Sequence, residues 1–239
     1  MHFPRLYAIL DAACFPHADA MFAAAEQLAA GGVTLLQYRN KSGNARHMLD
    51  QARELKRLVG GRVRLVMNDR ADLCLAADFD GLHVGQDDLS PEAARRIIGA
   101  SPSVAKQNDE KLGFVSGYRF SHTASRSNSI APLGVAARWL GVSTHNPEQL
   151  AEADRTSADY LAIGPVFATP SKANPDPVAG LEGVRRAREL TRKPLVAIGG
   201  ITRANARSVI EAGADAVAVI SDLLRDPRKS AEEFLRVLG

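Results

Sequence analysis

The chain has 239 residues, of which 46% are hydrophobic and 24% charged, ample for one large core. A formal charge of +3, 5% aromatics and no Lys/Arg run argue against nucleic acid, which draws a basic stripe with interleaved aromatics, and fit small anionic substrates better. No uncharged apolar run is long enough to span a bilayer, and Met1-His2-Phe3-Pro4-Arg5-Leu6-Tyr7 lacks a secretory leader pattern, so a soluble, cytoplasmic protein without a membrane partner is expected.

Along the chain, short apolar runs alternate with amphipathic stretches. Strands are predicted at Arg5–Asp11, Thr34–Arg39, Arg64–Asn68, Gly81–Gly85, Trp139–Thr144, Tyr160–Val166, Pro194–Gly199 and Ala216–Ser221. They are mostly apolar without clean alternation, as buried parallel strands should be. Between them, Asn44–Val59 carries Met48, Leu49, Ala52, Leu55, Leu58 and Val59 at helical spacing. Strand alternating with helix implies a parallel sheet. Eight such strands, in a length close to the roughly 250 residues usual for the fold, favour a single α/β domain over residues 1–239, a closed (β/α)8 TIM barrel.

One segment, about 100–137, breaks the rhythm between the fourth helix and the fifth strand. It is rich in Ser and mixed charges and reads as an insertion. A helix-to-strand loop lies on the barrel's N-terminal face, away from the catalytic loops. A small β-hairpin or an oligomer contact, as in a homodimer, would account for it. Cys14 and Cys74 lack metal-ligand spacing and read as reduced, buried thiols.

Active sites of such barrels form at the C-terminal strand ends. Strand two ends Gln37-Tyr38-Arg39-Asn40-Lys41, where alternation puts Gln37, Arg39 and Lys41 on one face, a match for pyrophosphate. A solvated loop end explains Lys41 alone, but the three together less well. Strand three ends Asn68-Asp69-Arg70, and Gln86-Asp87-Asp88 follows strand four. Asp69 and Asp88 could share one Mg²⁺, or each could cap the helix that follows it. Ser90 before Pro91 already suits the cap of the fourth helix, which leaves Asp88 for other work.

Strand five offers Ser143 as a hydrogen-bond donor into the mouth, with Asn146 as a cap before Pro147. His145 beside a helix start and His83 within strand four read as structural hydrogen-bonding residues. After strand six, the loop through Thr169-Pro170-Ser171-Lys172 to Gly180 is long for the fold and suits a lid carrying hydroxyls and a lysine. Gly199-Gly200 after strand seven, with Ile220-Ser221 after strand eight, suits a backbone phosphate site.

Taken in order, these strand ends resemble the thiamine-phosphate synthase family. The signposts are Gln37 to Lys41, Asn68-Asp69-Arg70, His83 to Leu89, Gly141 to His145, Gly164 to Lys172, Ala197 to Ile201 and Val219-Ile220-Ser221. Departures are slight: Tyr38 where the family often has Leu, Asp87 where it often has Glu, and Ser171 where it often has Thr. The resemblance covers nearly the whole chain apart from the insertion.

It implies a transferase of thiamine biosynthesis, which joins hydroxymethylpyrimidine diphosphate to a thiazole phosphate or its carboxylated form. Gln37, Arg39, Lys41, Asn68, Ser143 and Lys172 would hold the pyrimidine diphosphate. Asp69 and Asp88 would hold one Mg²⁺ per site. Thr169, Pro170, Ser171, Gly200, Ile220 and Ser221 would hold the thiazole phosphate. The reaction implied is dissociative, with Lys172 and Ser143 acting on the departing pyrophosphate and pyrimidine. Such a step demands cations and a metal rather than a strong base. Two other readings stand beside it: a thiazole tautomerase, which uses a His at the place of His145 and lacks the diphosphate set, and a phospholigand sensor without turnover.

Overall fold

Strands built from Leu, Val, Ala and Ile must be covered on both faces, which a sheet achieves by closing on itself with helices outside. The computed structural model describes residues 3–99, 137–169 and 177–239, and its eight strands, parallel at every seam, close in sequential order. They are β1 (Leu6–Asp11), β2 (Leu35–Arg39), β3 (Arg64–Asn68), β4 (Gly81–Val84), β5 (Trp139–Thr144), β6 (Tyr160–Ile163), β7 (Leu195–Ile198) and β8 (Ala216–Val219). The (β/α)8 barrel expected from the alternation is the fold observed.

Outside run α1 (Ala18–Ala30), α2 (Ala45–Val59), α3 (Ala71–Ala76), α4 (Pro91–Ile98), α5 (Pro147–Asp154), α6 (Gly180–Leu190), α7 (Ala206–Glu211), a short α8 (Ser221–Leu224) and α9 (Pro227–Leu238). Their starts follow local chemistry. Asn44, Ser90 and Asn146 each accept the backbone N–H three residues on, at 3.1, 3.3 and 2.9 Å, and Pro91 and Pro147 occupy first turns where no N–H is needed. Along α2 the buried positions are Met48, Gln51, Ala52, Leu55 and Val59, one stripe at helical spacing. None of the described helices is long and apolar enough to cross a membrane.

The core has two layers. On β1, Leu6, Ala8 and Leu10 pack outward against the helices, while Tyr7 and Ile9 join a separate cluster with Leu35, Val66, Tyr160, Ala162 and Val196 that fills the lumen. At the N-terminal end, Phe3 stacks on Trp139 (centroids 5.2 Å apart) and the Arg64 guanidinium lies 3.7 Å over the same indole. That plug leaves the strand C-termini as the open end for chemistry.

Two expectations need correction. Strands six, seven and eight stop short of their predicted ends, with Gly199 at a left-handed φ of 99° after β7 and Ser221 beginning α8. Apolar character continues past each strand end, so composition alone could not mark the stop. Cys74 is buried, its thiol pushed up to about 12 by desolvation, but Cys14 is exposed, since it sits in the 3-10 turn Ala12–Cys14 after β1. The expected insertion lies outside the described residues except for 137.

Candidate active site

Alternation at the end of β2 sets Gln37, Arg39 and Lys41 on the face opposite Tyr38 and Asn40, which meet Gln51 of α2, but the two cations then spread to either side. Gln37 lies a layer down, 3% exposed, and its Nε2 donates to the Tyr7 hydroxyl at 2.8 Å. Arg39 turns toward β1 and pairs with Asp11, whereas Lys41, beyond the strand, turns toward β3 and pairs with Asp69. The divergence has a local cause. Asn40 is buried, donating to Tyr38 Oη and Gln51 Oε1 at 3.0 and 2.9 Å, while its own oxygen accepts the Ser42 N–H at 2.8 Å. This pins the chain between the cations so that each reaches the neighbouring strand end on its own side.

At the end of β3 the backbone is strained. Asp69 has φ 59°, rare for a residue with a Cβ, and the Arg70 N–H donates back to the Asn68 carbonyl at 2.7 Å, closing a three-residue turn. The turn brings the Asp69 carboxyl into hydrogen-bond contact with Asp88, and burial, then Asp88, raise its pKa above the ordinary carboxylate value despite the opposing Lys41. Neither carboxylate caps a helix. Arg70 stands at the N-cap of α3 without a side-chain cap bond, and Ser90 caps α4. Asp88 Oδ2 instead accepts the Gly85 N–H at 2.8 Å, which fixes the turn that delivers it.

Beside this pair, the Nδ2 of Asn68 has no hydrogen-bond partner, the one such buried side-chain atom among the described residues. Leaving it unmet costs about 1–3 kcal/mol, so a donor is held ready for an acceptor from outside the protein. No group of three or more His, Cys, Asp or Glu assembles among the described residues. A cation at Asp69 and Asp88 would complete its shell from substrate oxygens and water, which is the habit of Mg²⁺ rather than of Zn²⁺ or Ca²⁺. The oxygen-only donor pair fits it.

Ser143 faces inward near the top of β5, and its Oγ lies 2.8 Å from His83 Nε2. Its carbonyl accepts from the Gln86 side chain. His145 donates its backbone N–H to Gln149 Oε1 at 2.8 Å, and its Nδ1 lies 2.6 Å from the Gly164 carbonyl, a structural tie between the β5 and β6 loops.

Across the mouth the means of recognition change. Gly200 has φ 62°, and a Cβ there would sit 2.5 Å from the Ala168 carbonyl. The β7 and β6 loops therefore touch backbone to backbone, with Phe167 N donating to Gly199 O at 3.0 Å. Ile220 stands at the start of α8, which no side chain caps, and Ser221 is exposed. Arg203 locks the β7 and β8 loops together, donating its N–H and its guanidinium to Asp222 at 2.9–3.1 Å and pairing with Glu233. Thr169 is described and half-buried; Pro170, Ser171 and Lys172 lie outside the described residues.

Asp11, Tyr7, Tyr160 and Arg203 are not among the sequence-derived candidates. Asp11 ends a strand as Asn68 does, a signal open to notice, whereas the tyrosines look like ordinary core residues. A hollow of about 540 Å³ at the N-terminal face contains Arg5, Arg188 and Arg192. Arg5 there donates to the Leu238 carbonyl, and Arg188 binds Asp215 and two carbonyls, so these two cations already serve the fold.

Comparison with known proteins shows the family. A family model described as thiamine monophosphate synthase matches residues 6–109 and 125–223, leaving only 110–124 unmatched within the expected insertion. A thiamine-phosphate synthase of Koribacter versatilis is 54% identical over 98% of this chain and 96% of its own length. The corresponding protein of Chloroflexus aurantiacus is 38% identical over 98% and 92%. Among solved structures, a thiamine phosphate pyrophosphorylase from Pyrococcus furiosus aligns with a TM-score of 0.73 and 30% identity over 98% of this chain and 95% of that one. From its strand ends to its barrel, the chain belongs to the thiamine monophosphate synthase family.

Proposed function

We propose that the chain is a cytoplasmic, Mg²⁺-assisted transferase that couples hydroxymethylpyrimidine diphosphate to thiazole phosphate, forming thiamine phosphate and pyrophosphate. Family membership supports the reaction. The observation that carries the site is the Asp69–Asp88 contact, flanked by Lys41 and by the unpartnered Asn68 amide. Acidic and basic groups that neutralise one another across the mouth are what a metal-bound diphosphate would separate, the metal taking the carboxylates and the phosphates taking Arg39 and Lys41.

In this reading Gln37, Arg39, Lys41, Asn68 and Ser143 orient the pyrimidine diphosphate, and Lys172 meets it from the β6 loop. The bond from the pyrimidine methylene carbon to the diphosphate oxygen breaks, and the electron pair leaves with pyrophosphate. The aminopyrimidine ring spreads the resulting positive charge, and the thiazole nitrogen lone pair forms the new C–N bond. Asp69 and Asp88 would hold Mg²⁺, which would supply charge neutralisation to the leaving group. Gly200, Ile220 and Ser221 hold the thiazole phosphate largely through backbone donors, and Thr169, Pro170 and Ser171 complete that set. No step requires a strong base, in keeping with a His83 whose pKa burial lowers to about 4 and a His145 tied to a carbonyl. The comparisons lend no support to the tautomerase reading.

The test is an assay with both phosphorylated halves, with and without Mg²⁺, following pyrophosphate and the coupled product together. Mg²⁺-dependent formation of both in equal amounts is expected. Binding of both halves without turnover would favour the sensor reading, and turnover of the thiazole half alone would favour a tautomerase.

A further inference from the structure

Five inward-facing side chains from five strands make one continuous hydrogen-bonded path through the lumen. Gln37 Nε2 donates to Tyr7 Oη at 2.8 Å, and Tyr7 Oη lies 3.0 Å from Tyr160 Oη. Tyr160 Oη lies 3.0 Å from His83 Nδ1, and His83 Nε2 lies 2.8 Å from Ser143 Oγ. Every interior member is sealed from water: Tyr7 is 1%, Tyr160 0% and His83 7% exposed. The path depends on a gap in β5, for a Cβ at Gly141 would lie 2.5 Å from His83 Nδ1 and overlap the Tyr160 hydroxyl. It joins β2 and β5, the two sides of the mouth assigned above to the pyrimidine diphosphate.

Counting protons gives the path a direction. Gln37 supplies the hydrogen in its bond to Tyr7, so the single Tyr7 proton goes to Tyr160. Tyr160, already accepting, sends its own proton to His83 Nδ1. An accepting Nδ1 puts the ring hydrogen on Nε2, which then donates to Ser143 Oγ. With Oγ accepting from below, the Ser143 hydrogen turns to the open mouth. Burial keeps both phenols well above their ordinary pKa and holds the imidazole at about 4, so all three stay neutral near pH 7.

We propose that Tyr7, Tyr160 and His83 are positioning residues that hold His83 in its Nε2–H form and thereby make Ser143 a hydrogen-bond donor to the bound pyrimidine diphosphate. The inference deepens the proposed function and rests on Ser143 touching that substrate. It gives the fully buried tyrosines, unlike their apolar lumen neighbours, a part in recognition. It also predicts that the lumen and the mouth act as one hydrogen-bonded unit.

The test combines a spectrum with a kinetic cycle. In ¹⁵N-histidine-labelled wild-type protein, the His83 signals should report a protonated Nε2 and an unprotonated Nδ1. Tyr160→Phe removes the proton donor to Nδ1 and keeps the ring, so an Nδ1–H fraction should appear beside the Nε2–H form. Tyr7→Phe removes the bias but not the Tyr160 contact, and should give a mixture of the two. With Mg²⁺ and both substrates, Tyr160→Phe should lower kcat/KM for the pyrimidine diphosphate by about tenfold, the range of one hydrogen bond, and leave KM for the thiazole phosphate within about twofold. In a Ser143→Ala background the same change should have no further effect.

A wild-type Nδ1–H tautomer, or an undiminished Tyr160→Phe effect without the Ser143 hydroxyl, would overturn the relay. The wild-type spectrum needs no variant, so poor folding of Tyr160→Phe leaves the tautomer prediction exposed to failure. If wild-type protein makes no thiamine phosphate, the proposed function fails instead, and the spectrum still decides the direction of the path.

Discussion

The two sides of the barrel mouth are built on different principles. From β1 to β4 the mouth is lined by ionised and amide side chains that occupy one another: Arg39 with Asp11, Lys41 with Asp69, and Asp69 against Asp88. From β6 to β8 it is lined by backbone, with Gly199 and Gly200 in left-handed conformations and an uncapped short helix beyond β8. Under the proposed function, each construction suits a different cargo. A leaving group whose charge grows during reaction needs mobile cations and a metal, whereas a phosphate that only anchors its substrate needs fixed, neutral donors.

Removing one carboxylate tests this contrast most severely. Asp88→Ala should lower turnover by about 10²–10³, the scale of a lost electrostatic contact in a transition state, and leave the circular dichroism spectrum intact. Wild-type-like turnover and Mg²⁺ dependence in that variant would end the metal assignment.

Titration separates the sides next. His83 in β4 has its pKa lowered by burial from 6.5 to about 4. The unfolded chain therefore takes up that proton first as pH falls. The stability concerned is present above about pH 6.5 and is lost on the way down to pH 4, up to about 3 kcal/mol for this group. His83→Gln should flatten that part of a denaturation-against-pH curve. A variant on the other side, Gly200→Ala, should leave the slope unchanged.

Gly200→Ala has its own signature. It forces a Cβ to 2.5 Å from the Ala168 carbonyl at φ 62°, which should cost about 1–3 kcal/mol and loosen the loop contact. KM for the thiazole phosphate should rise by about tenfold with KM for the pyrimidine diphosphate nearly constant, measured by steady-state kinetics. Equal changes in both constants would mean that the sides are not separable. Smallest of all should be His145→Gln, which removes the ring contact to Gly164 and shifts kcat by no more than about fivefold, the effect of a hydrogen bond of about 1 kcal/mol.

Much of the fold and part of the site are legible in the residues alone. The eight apolar runs carry the barrel because their period and length admit few other arrangements, and Asn44, Ser90 and Asn146 announce helix starts through purely local hydrogen bonds. Asp69 and Asp88 stand out by residue type at strand ends. Ser221 reads as strand, wrongly, because Val219-Ile220 continues the apolar run into α8.

The order of strands and helices and the kinds of group at the mouth follow from chemistry within a few residues of each position, so the amino-acid sequence suffices for both. Who meets whom is settled by the tertiary fold. Arg39 and Lys41, two residues apart, pair to opposite sides because β1 and β3 flank β2, and Asp69 touches Asp88 because their strands are neighbours in the barrel. Likewise Tyr7 and Tyr160, 153 positions apart, share a hydrogen bond because closure brings β1 and β6 across one lumen. Such pairings depend on register and closure, which no local pattern encodes, and they set the charge balance and the direction of the hydrogen bonds at the site.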